Sequence, residues 1–295
     1  MRLLVTVLAL IALASPAAAA GKYEVQVGGQ TRTFKIEAPQ GPRPAPAVVV
    51  LHDEGLAAGR IQRIASFQLN RDGWAEIYPE ALGGQWNDGQ KRSNGKPYSK
   101  ADDLGFMRAI VARLADDGIV DPRRVFFVGS SGGGAMVLRV VCEAPELAAG
   151  AAVVVAGQPE ELECIDGPPV PLLFIQSESD PLVPFDGGPV RLPDGSERGR
   201  VLPAGESLAR LALRNNCGYR DEFQITDHFD DGTRVRLRAW RGCAEPLLQF
   251  IVEGAGHTWP GNRNSARVEK TLGRTSRDIS ATFEIEAFFK QALRK

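Results

Sequence analysis

A serine stands in a glycine-rich break between an apolar run and a helical pattern, in the stretch VFFVGSSGGGAM. The run VFFV is typical of a buried strand. Gly129, Ser131 and Gly133 match the pattern G-x-S-x-G, in which a sharp strand-to-helix turn exposes a serine hydroxyl. This pattern predicts nucleophilic chemistry at Ser131 and leaves Ser130 as the variable residue.

Glycine-rich turns of this kind can also bind phosphates, and two sequence patterns are typical of that function. Gly129 is followed two positions later by Ser131, and the dinucleotide fingerprint G-x-G-x-x-G is therefore not matched. The Gly-Lys-Ser/Thr ending of a P-loop is also absent from the sequence. A plain Gly/Ser turn remains as an alternative, but the flanking strand and helix patterns favour the nucleophile turn.

A serine hydroxyl is a weak nucleophile and needs a base that an acid orients. Enzymes with this turn place the three residues in the order serine, acid, histidine. His257 follows the last apolar run, in EGAGHTWPG, and fits that order. His52 follows an early predicted strand and His228 lies in a predicted hairpin, so neither fits. His257 is therefore the predicted base.

The acid should lie between the serine and the histidine, and the segment LLFIQSESDPLVPFDGG offers three candidates. Asp180 is preferred, because it follows a predicted strand and Pro181 fixes the chain directly after it. Asp186 stands beside two glycines and is typical of a turn. Glu178 remains the alternative acid.

Strand and helix patterns alternate along the chain, which predicts an α/β fold with a mostly parallel sheet and helices on both faces. The predicted strands cover 22–27, 31–38, 47–51, 74–80, 125–128, 151–157, 171–177 and 247–256. The predicted helices cover 99–122, 133–142, 204–216 and 280–295. Ser99 and Asp102 resemble a capping box, and a hairpin over 221–240 is predicted to turn at Asp231 and Gly232.

The first residues differ in character from the rest. Arg2 precedes an apolar run that ends in small residues, which predicts a signal peptide over residues 1–20, cleaved near Ala20. A membrane anchor is the alternative, but the run is too short to cross a bilayer. We expect a secreted or periplasmic protein whose residues 21–295 form a single catalytic domain.

Composition excludes some partners. Of the 295 residues, 43% are hydrophobic and 24% are charged, which is ordinary globular usage. The net charge of −1 argues against nucleic acid or an anionic membrane as a partner. No cofactor is expected. A metal site needs clustered ligands, and the cysteines are not spaced as C-x-x-C, so no metal is expected either.

The four cysteines of an exported chain suggest two disulfides among three possible connectivities, and pairing of near neighbours is the simplest choice. Free buried thiols are the alternative. The cysteines are Cys142, Cys164, Cys217 and Cys243.

Five segments together resemble the secreted polyhydroxybutyrate-depolymerase-like esterases, a group that includes feruloyl and acetylxylan esterases. They are IYPEALGGQWND, DDLGFMRAIVARL, DPRRVFFVGSSGGGAM, SDPLVPFDGG and GAGHTWPG. The resemblance covers nearly all of residues 22–292 and implies an α/β-hydrolase fold. Carried over by motif, it implies Ser131 as nucleophile, Asp180 as acid and His257 as base.

The same resemblance implies two disulfides, Cys142–Cys164 and Cys217–Cys243. It also implies an esterase that hydrolyses small or oligomeric carboxylic esters of the hydroxyalkanoate, feruloyl or acetyl type through an acyl-enzyme. A catalytically impaired binding protein of the same fold is the main alternative function, and a serine peptidase is another.

An esterase needs backbone N–H groups to stabilise the oxyanion. Gly132 should provide one, and by position Glu54 in LHDEG provides the other. The relatives have glycine where Asp53 stands here. Asp53 lacks the freedom of glycine at positive φ, and two carboxylates beside an oxyanion are unfavourable unless they point to solvent. These considerations predict low activity and a gain in kcat for Asp53→Gly.

Two tryptophans lie in loops near the predicted site. Trp86 occurs in GQWND and Trp259 in HTWPG. Aromatic faces suit a sugar or a phenolic acyl group, so both are predicted to line the substrate cleft. Packing that supports the His257 loop is the alternative for Trp259.

Overall fold

The computed structural model describes residues 20–92 and 94–294. The predicted signal peptide lies outside these residues, apart from Ala20. Within the described part, no helix combines the length and apolar character that a membrane crossing requires. Its strands are β1 (Gly21–Val27), β2 (Gln30–Glu37), β3 (Ala45–Leu51), β4 (Ala75–Pro79), β5 (Val120–Ser130), β6 (Gly150–Val154), β7 (Leu172–Ser177), β8 (Gly188–Arg191), β9 (Glu197–Val201), β10 (Tyr219–Gln224), β11 (Arg234–Arg241) and β12 (Leu247–Glu253).

Helices connect most of the central strands. The helices of the described residues are α1 (Ala58–Ala65), α2 (Asp103–Asp116), α3 (Gly132–Glu143), α4 (Ala204–Arg214), α5 (Ala266–Leu272) and α6 (Ala281–Leu293). Short 3₁₀ turns occur at Leu69–Asp72, Leu82–Gly84 and Pro145–Leu147.

Ten strands form one sheet in the order β1-β2-β4-β3-β5-β6-β7-β12-β11-β10. The central strands β4, β3, β5, β6, β7 and β12 pair in parallel, and antiparallel pairs complete both edges. The predicted mostly parallel α/β fold is confirmed. Because parallel strands share one carboxyl edge, the loops after β3, β5, β7 and β12 converge there.

The central strands are buried on both faces, which explains their continuous apolar runs. Along β3, Ala47, Val49 and Leu51 pack in one core with α2, α3 and α4. Val48 and Val50 pack in a second core with α1 and α6. The alternation of side chains along a strand therefore divides one run between two layers of helices.

Several predicted local features differ in the structure. Asp102, not Ser99, caps α2, and its carboxylate accepts the backbone N–H of Gly105 at 2.8 Å. The hairpin of β10 and β11 is joined by residues 225–233 rather than by a tight turn at Asp231 and Gly232. There the carboxylate of Asp231 accepts the N–H of Thr233, which is an Asx-type turn within a longer loop.

Both implied disulfides are present. Cys142 at the end of α3 is bonded to Cys164, and Cys217 is bonded to Cys243 beyond β11. The first anchors α3 to the segment between β6 and β7. The second closes the edge hairpin onto the end of α4.

The sequence does not predict α1, α5 or the β8–β9 hairpin. The hairpin lies in the chain between β7 and α4 and forms its own two-stranded sheet. Val190 of β8 and Val201 of β9 form a small separate apolar cluster with Val183. The Tyr98 hydroxyl fastens the hairpin by donating to the Glu197 carbonyl at 3.1 Å and accepting the Gly199 N–H at 3.0 Å.

Candidate active site

Ser131 occupies a strained turn between β5 and α3. Its φ of 53° and ψ of −126° lie in a region that residues with side chains rarely adopt. Two glycines permit the turn. A β-carbon on Gly129 would lie 2.4 Å from the Gly133 carbonyl carbon, and one on Gly133 would lie 2.4 Å from the Leu51 carbonyl oxygen. The glycines thus allow α3 to begin directly against β3 and β5, with Ser131 at its N-terminus.

His257 and Asp180 meet at the carboxyl edge of the sheet. His257 Nδ1 lies 2.8 Å from Asp180 Oδ2. Asp180 Oδ1 accepts the backbone N–H groups of Leu182 and Val183 at 2.8 and 2.9 Å. These bonds orient the carboxylate so that it receives the Nδ1–H of the imidazole, which leaves Nε2 free of that bond and able to accept a proton.

Electrostatics at His257 favour proton uptake. Burial disfavours the charged imidazolium, but the charge and hydrogen bond of Asp180, with a further contribution from Asp53, outweigh that effect and raise the pKa of His257 above its ordinary value. A base that is buried and yet retains its affinity for a proton suits the removal of a proton from a serine hydroxyl.

Ser131 and His257 line the same cavity of about 150 Å³. Gly132, Asp53 and Glu54 contribute to its polar end. Its apolar walls come from the loop after β3, from α3, from the segment between β7 and β8, and from the β8–β9 hairpin. The apolar residues include Leu56, Ala135, Leu182, Val183, Val190 and Val201.

Glu54 lies where a second oxyanion donor is needed. A β-carbon on Gly132 would lie 3.5 Å from the Glu54 backbone nitrogen, so the backbones after the nucleophile and after β3 are neighbours. Asp53 is not among the described residues with positive φ. The expectation that this position requires the freedom of glycine is therefore wrong.

His52 and Trp86 support the loop that carries Glu54. His52 Nε2 accepts the Ala81 N–H at 3.1 Å, which leaves the ring proton on Nδ1, and Nδ1 lies 2.8 Å from the Asp53 carbonyl oxygen. The Trp86 indole donates to the His52 carbonyl at 2.9 Å. The Asp53 carbonyl and the Glu54 N–H belong to one peptide plane. The hydrogen bond from His52 to that carbonyl therefore also sets the direction of the Glu54 N–H.

The two carboxylates of this loop do not point to solvent, contrary to the condition set from the sequence. Asp53 accepts a hydrogen bond from the Ser130 hydroxyl. Glu54 forms an ion pair with Arg198 of β9. Burial raises the pKa of Glu54, and the positive charge of Arg198 counteracts this.

Arg198 is a component of the site that sequence reasoning missed. Its side chain is 2% exposed, and Nη1 lies 2.7 Å from Asp88 Oδ2. Nη2 donates to the Trp86 carbonyl at 3.2 Å, and Arg198 also lines the cavity. No local pattern marks it, since SERGRVL shows only a polar, glycine-containing stretch.

The remaining predicted site residues lie elsewhere. Neither tryptophan lines the cavity, so that prediction is wrong for both. Trp86 is buried beside His52, with ring centroids 5.0 Å apart. Trp259 is buried and its indole donates to Thr282 at 3.1 Å, which is the packing alternative. Glu178 is exposed and pairs with Arg236 rather than with the histidine.

Comparison with known proteins agrees with this architecture. Residues 34–189 match the dienelactone hydrolase family. The chain is 30% identical over 274 residues to "Putative esterase NocK" from Nocardia uniformis subsp. tsuyamanensis, covering 87% of this chain and 78% of that protein. It is 28% identical over 139 residues to "Feruloyl esterase B" from Piromyces equi, covering 46% of this chain but only 26% of that protein.

The fold is also that of a solved esterase. The acetyl xylan esterase from Aspergillus awamori superposes with a TM-score of 0.57 at 15% identity, covering 81% of this chain and 94% of that one. The chain belongs to the dienelactone hydrolase family, within the α/β-hydrolase superfamily. Its family and relatives place it among the hydrolases of esterase type.

Proposed function

We propose that the protein is an exported serine esterase that hydrolyses carboxylic esters with a small acyl group. One observation carries the proposal. Ser131 stands in a strained turn at the start of α3 and shares its cavity with His257, whose other ring nitrogen is held by Asp180. This arrangement supports the assignment of Ser131 as nucleophile, His257 as base and Asp180 as the orienting acid.

The reaction follows from these positions. His257 Nε2 removes the proton as Ser131 Oγ attacks the ester carbonyl, and Asp180 stabilises the imidazolium that forms. The backbone N–H groups of Gly132 and Glu54 stabilise the oxyanion. The imidazolium returns its proton to the leaving alcohol, and water activated by the same imidazole then hydrolyses the acyl-enzyme.

The size of the cavity supports a small acyl group. A cavity of about 150 Å³ holds one benzene-sized group. Its walls are largely aliphatic, which suits an acetyl, butyryl or hydroxybutyryl chain. A feruloyl group is longer than one ring and would have to extend toward the cavity entrance.

Export and the finer family assignment are part of the proposal. The signal-like residues 1–20, the two disulfides and the resemblance to secreted polyhydroxybutyrate-depolymerase-like esterases support it. Disulfides persist in oxidising compartments. We therefore place the enzyme outside the cytoplasm, acting on soluble oligomers or small esters.

The alternative of an impaired binding protein depends on the two carboxylates, Asp53 and Glu54, that stand beside the oxyanion. In the structure both carboxylates have partners, Ser130 for Asp53 and Arg198 for Glu54. Arg198 thus compensates the charge of Glu54, which supports catalysis over the impaired alternative, whereas the neutral Ser130 hydroxyl leaves Asp53 charged. No feature of the described cavity favours a peptide over an ester.

The test is an ester panel combined with active-site labelling. We expect the purified protein to hydrolyse p-nitrophenyl acetate and butyrate, and a fluorophosphonate probe to label Ser131. Ser131→Ala should abolish both, whereas the adjacent Ser130→Ala should retain most of both. An adduct mapped to Ser130, or a wild-type protein inactive on every ester of the panel, would contradict the proposal.

A further inference from the structure

The buried guanidinium of Arg198 lies directly behind the proposed oxyanion hole. A β-carbon on Gly132 would lie 3.4 Å from Glu54 Cβ and 3.9 Å from Arg198 Nη1. The residue after the nucleophile, the residue of the second N–H donor and this arginine therefore meet at one point. All three line the cavity.

The charge of Glu54 depends on Arg198. Glu54 Oε2 forms the ion pair with Arg198 Nε. Among the described residues, Glu54 Oε1 is buried and has no hydrogen-bond partner. Asp88, in contrast, also accepts the backbone N–H and the side-chain amide of Gln90. Removal of the guanidinium would leave Glu54 with an uncompensated charge and Asp88 with two remaining donors.

An uncompensated carboxylate at Glu54 would act on the oxyanion in two ways. Its negative charge would oppose the charge that develops on the substrate oxygen in the same water-poor cavity. It would also tend to turn toward water, and this movement would displace the backbone N–H of the same residue. Both effects act on the transition state more than on the bound ester.

We propose that Arg198 is a positioning residue for the oxyanion hole, because it neutralises the Glu54 carboxylate and fixes the Glu54 backbone N–H beside Gly132. The β8–β9 hairpin is thereby coupled to catalysis as well as to the cavity wall. This inference rests on the proposed function, since the oxyanion exists only if Ser131 attacks a carbonyl.

The experiment compares Arg198→Met with two double variants. We expect Arg198→Met to lower kcat on p-nitrophenyl butyrate by about 10²-fold with little change in KM, near the cost of losing one oxyanion donor. Arg198→Met/Glu54→Gln should recover most of kcat, because the opposing charge is gone. Arg198→Met/Asp88→Asn is the matched control. It should regain stability, measured as Tm, without regaining kcat.

Two further measurements separate positioning from a structural role. The kcat of Arg198→Met relative to wild type should rise as the pH falls, because protonation of Glu54 removes the charge that Arg198 had neutralised. Phenylboronic acid, whose tetrahedral serine adduct places an oxygen in the oxyanion hole, should bind more weakly to Arg198→Met and regain affinity in the Glu54→Gln double variant. Arg198→Lys, which retains the charge, should lie between wild type and Arg198→Met in both measurements.

The outcomes distinguish this inference from the proposed function. Equal rescue by Asp88→Asn and Glu54→Gln, or a constant activity ratio across pH, would overturn the role of Arg198 while the esterase assignment stands. A wild-type protein that hydrolyses no ester but shows the predicted pattern of boronic acid affinities would contradict the function and support the role of Arg198.

Discussion

The central parallel strands and the β8–β9 hairpin contribute to the same cavity but are built differently. The strands are buried on both faces between two layers of helices, and the loops at their carboxyl edge carry Ser131, Asp180 and His257. The hairpin is a separate two-stranded sheet, and two of its residues belong to a three-valine cluster. Tyr98 and the ion pairs of Arg198 attach it to the rest of the molecule.

This difference assigns different tasks to the two regions. The sheet fixes the reacting groups, because the rigid parallel strands bring their loops to one edge. The hairpin provides Val190, Val201 and Arg198 to the cavity. Under the proposed function it would select the acyl group and, through Arg198, compensate the charge of Glu54. Changes in the sheet loops and at Arg198 should therefore alter the rate for every ester, and changes at the apolar hairpin residues should alter the choice among esters.

The largest effect should come from the acid on the sheet side. Asp180→Asn should lower kcat by about 10⁴-fold, because asparagine cannot hold the imidazole in the correct tautomer or stabilise the imidazolium. The measurement is steady-state hydrolysis of p-nitrophenyl butyrate by each purified variant.

Glu178→Gln is the matched control, since Glu178 precedes Asp180 by two residues but is exposed and paired with Arg236. Its kcat should stay close to wild type. A large loss for Glu178→Gln together with a mild effect of Asp180→Asn would mean that the alternative acid from the sequence is the correct one.

The hairpin side should show an intermediate effect on selectivity. Val190→Ala removes two methyl groups from the cavity wall, and one methylene of fit is worth 10-fold or more in kcat/KM. We expect the preference for p-nitrophenyl hexanoate over butyrate to increase by about 10-fold. Val170→Ala is a comparable truncation of a buried valine outside the cavity and should leave the ratio unchanged, so a shift in both variants would argue against the cavity wall as its cause.

The same two regions differ in how well the sequence predicts them. The central strands follow from apolar runs such as AVVVL, and the sharp turn follows from G-x-S-x-G, because local conformational restrictions determine both. Asp180 and His257 could be selected because chain order and loop position restrict the candidates to a few. The strands and the turn depend on local patterns, and the acid and base depend on the order of motifs along the chain.

Arg198 could not be predicted in this way, because its role depends on three distant partners. Glu54, Asp88 and Trp86 lie more than 100 residues away in the chain. The sequence-based prediction that the two tryptophans line the cleft fails for a related reason. A tryptophan in a loop can face a cleft or anchor the loop from beneath, and only the packing around His52 and Thr282 decides between these positions.

The smallest effect should be a shift in pH dependence at Asp53, which lies in the loop after β3 and lines the cavity. The pKa of His257 is raised, and the negative charge of Asp53 contributes to that rise. Since His257 must be neutral to act as base, kcat/KM should fall as the pH drops through this raised value, so the acid limb lies above the ordinary imidazole pKa of about 6.5. Asp53→Asn preserves the size of the side chain and an acceptor for Ser130 but removes the charge. The pKa of His257 should then decrease and the acid limb of kcat/KM should move to lower pH.

Asp53→Gly removes both the charge and the contact with Ser130. Asp53 does not adopt positive φ, so a glycine at this position would not fit the backbone better. We therefore expect no increase in kcat for Asp53→Gly, in contrast to the sequence-based prediction. A pH profile of Asp53→Asn that superimposes on that of the wild type would show that Asp53 does not act on His257, and an increase in kcat for Asp53→Gly would restore the view that this carboxylate opposes the oxyanion.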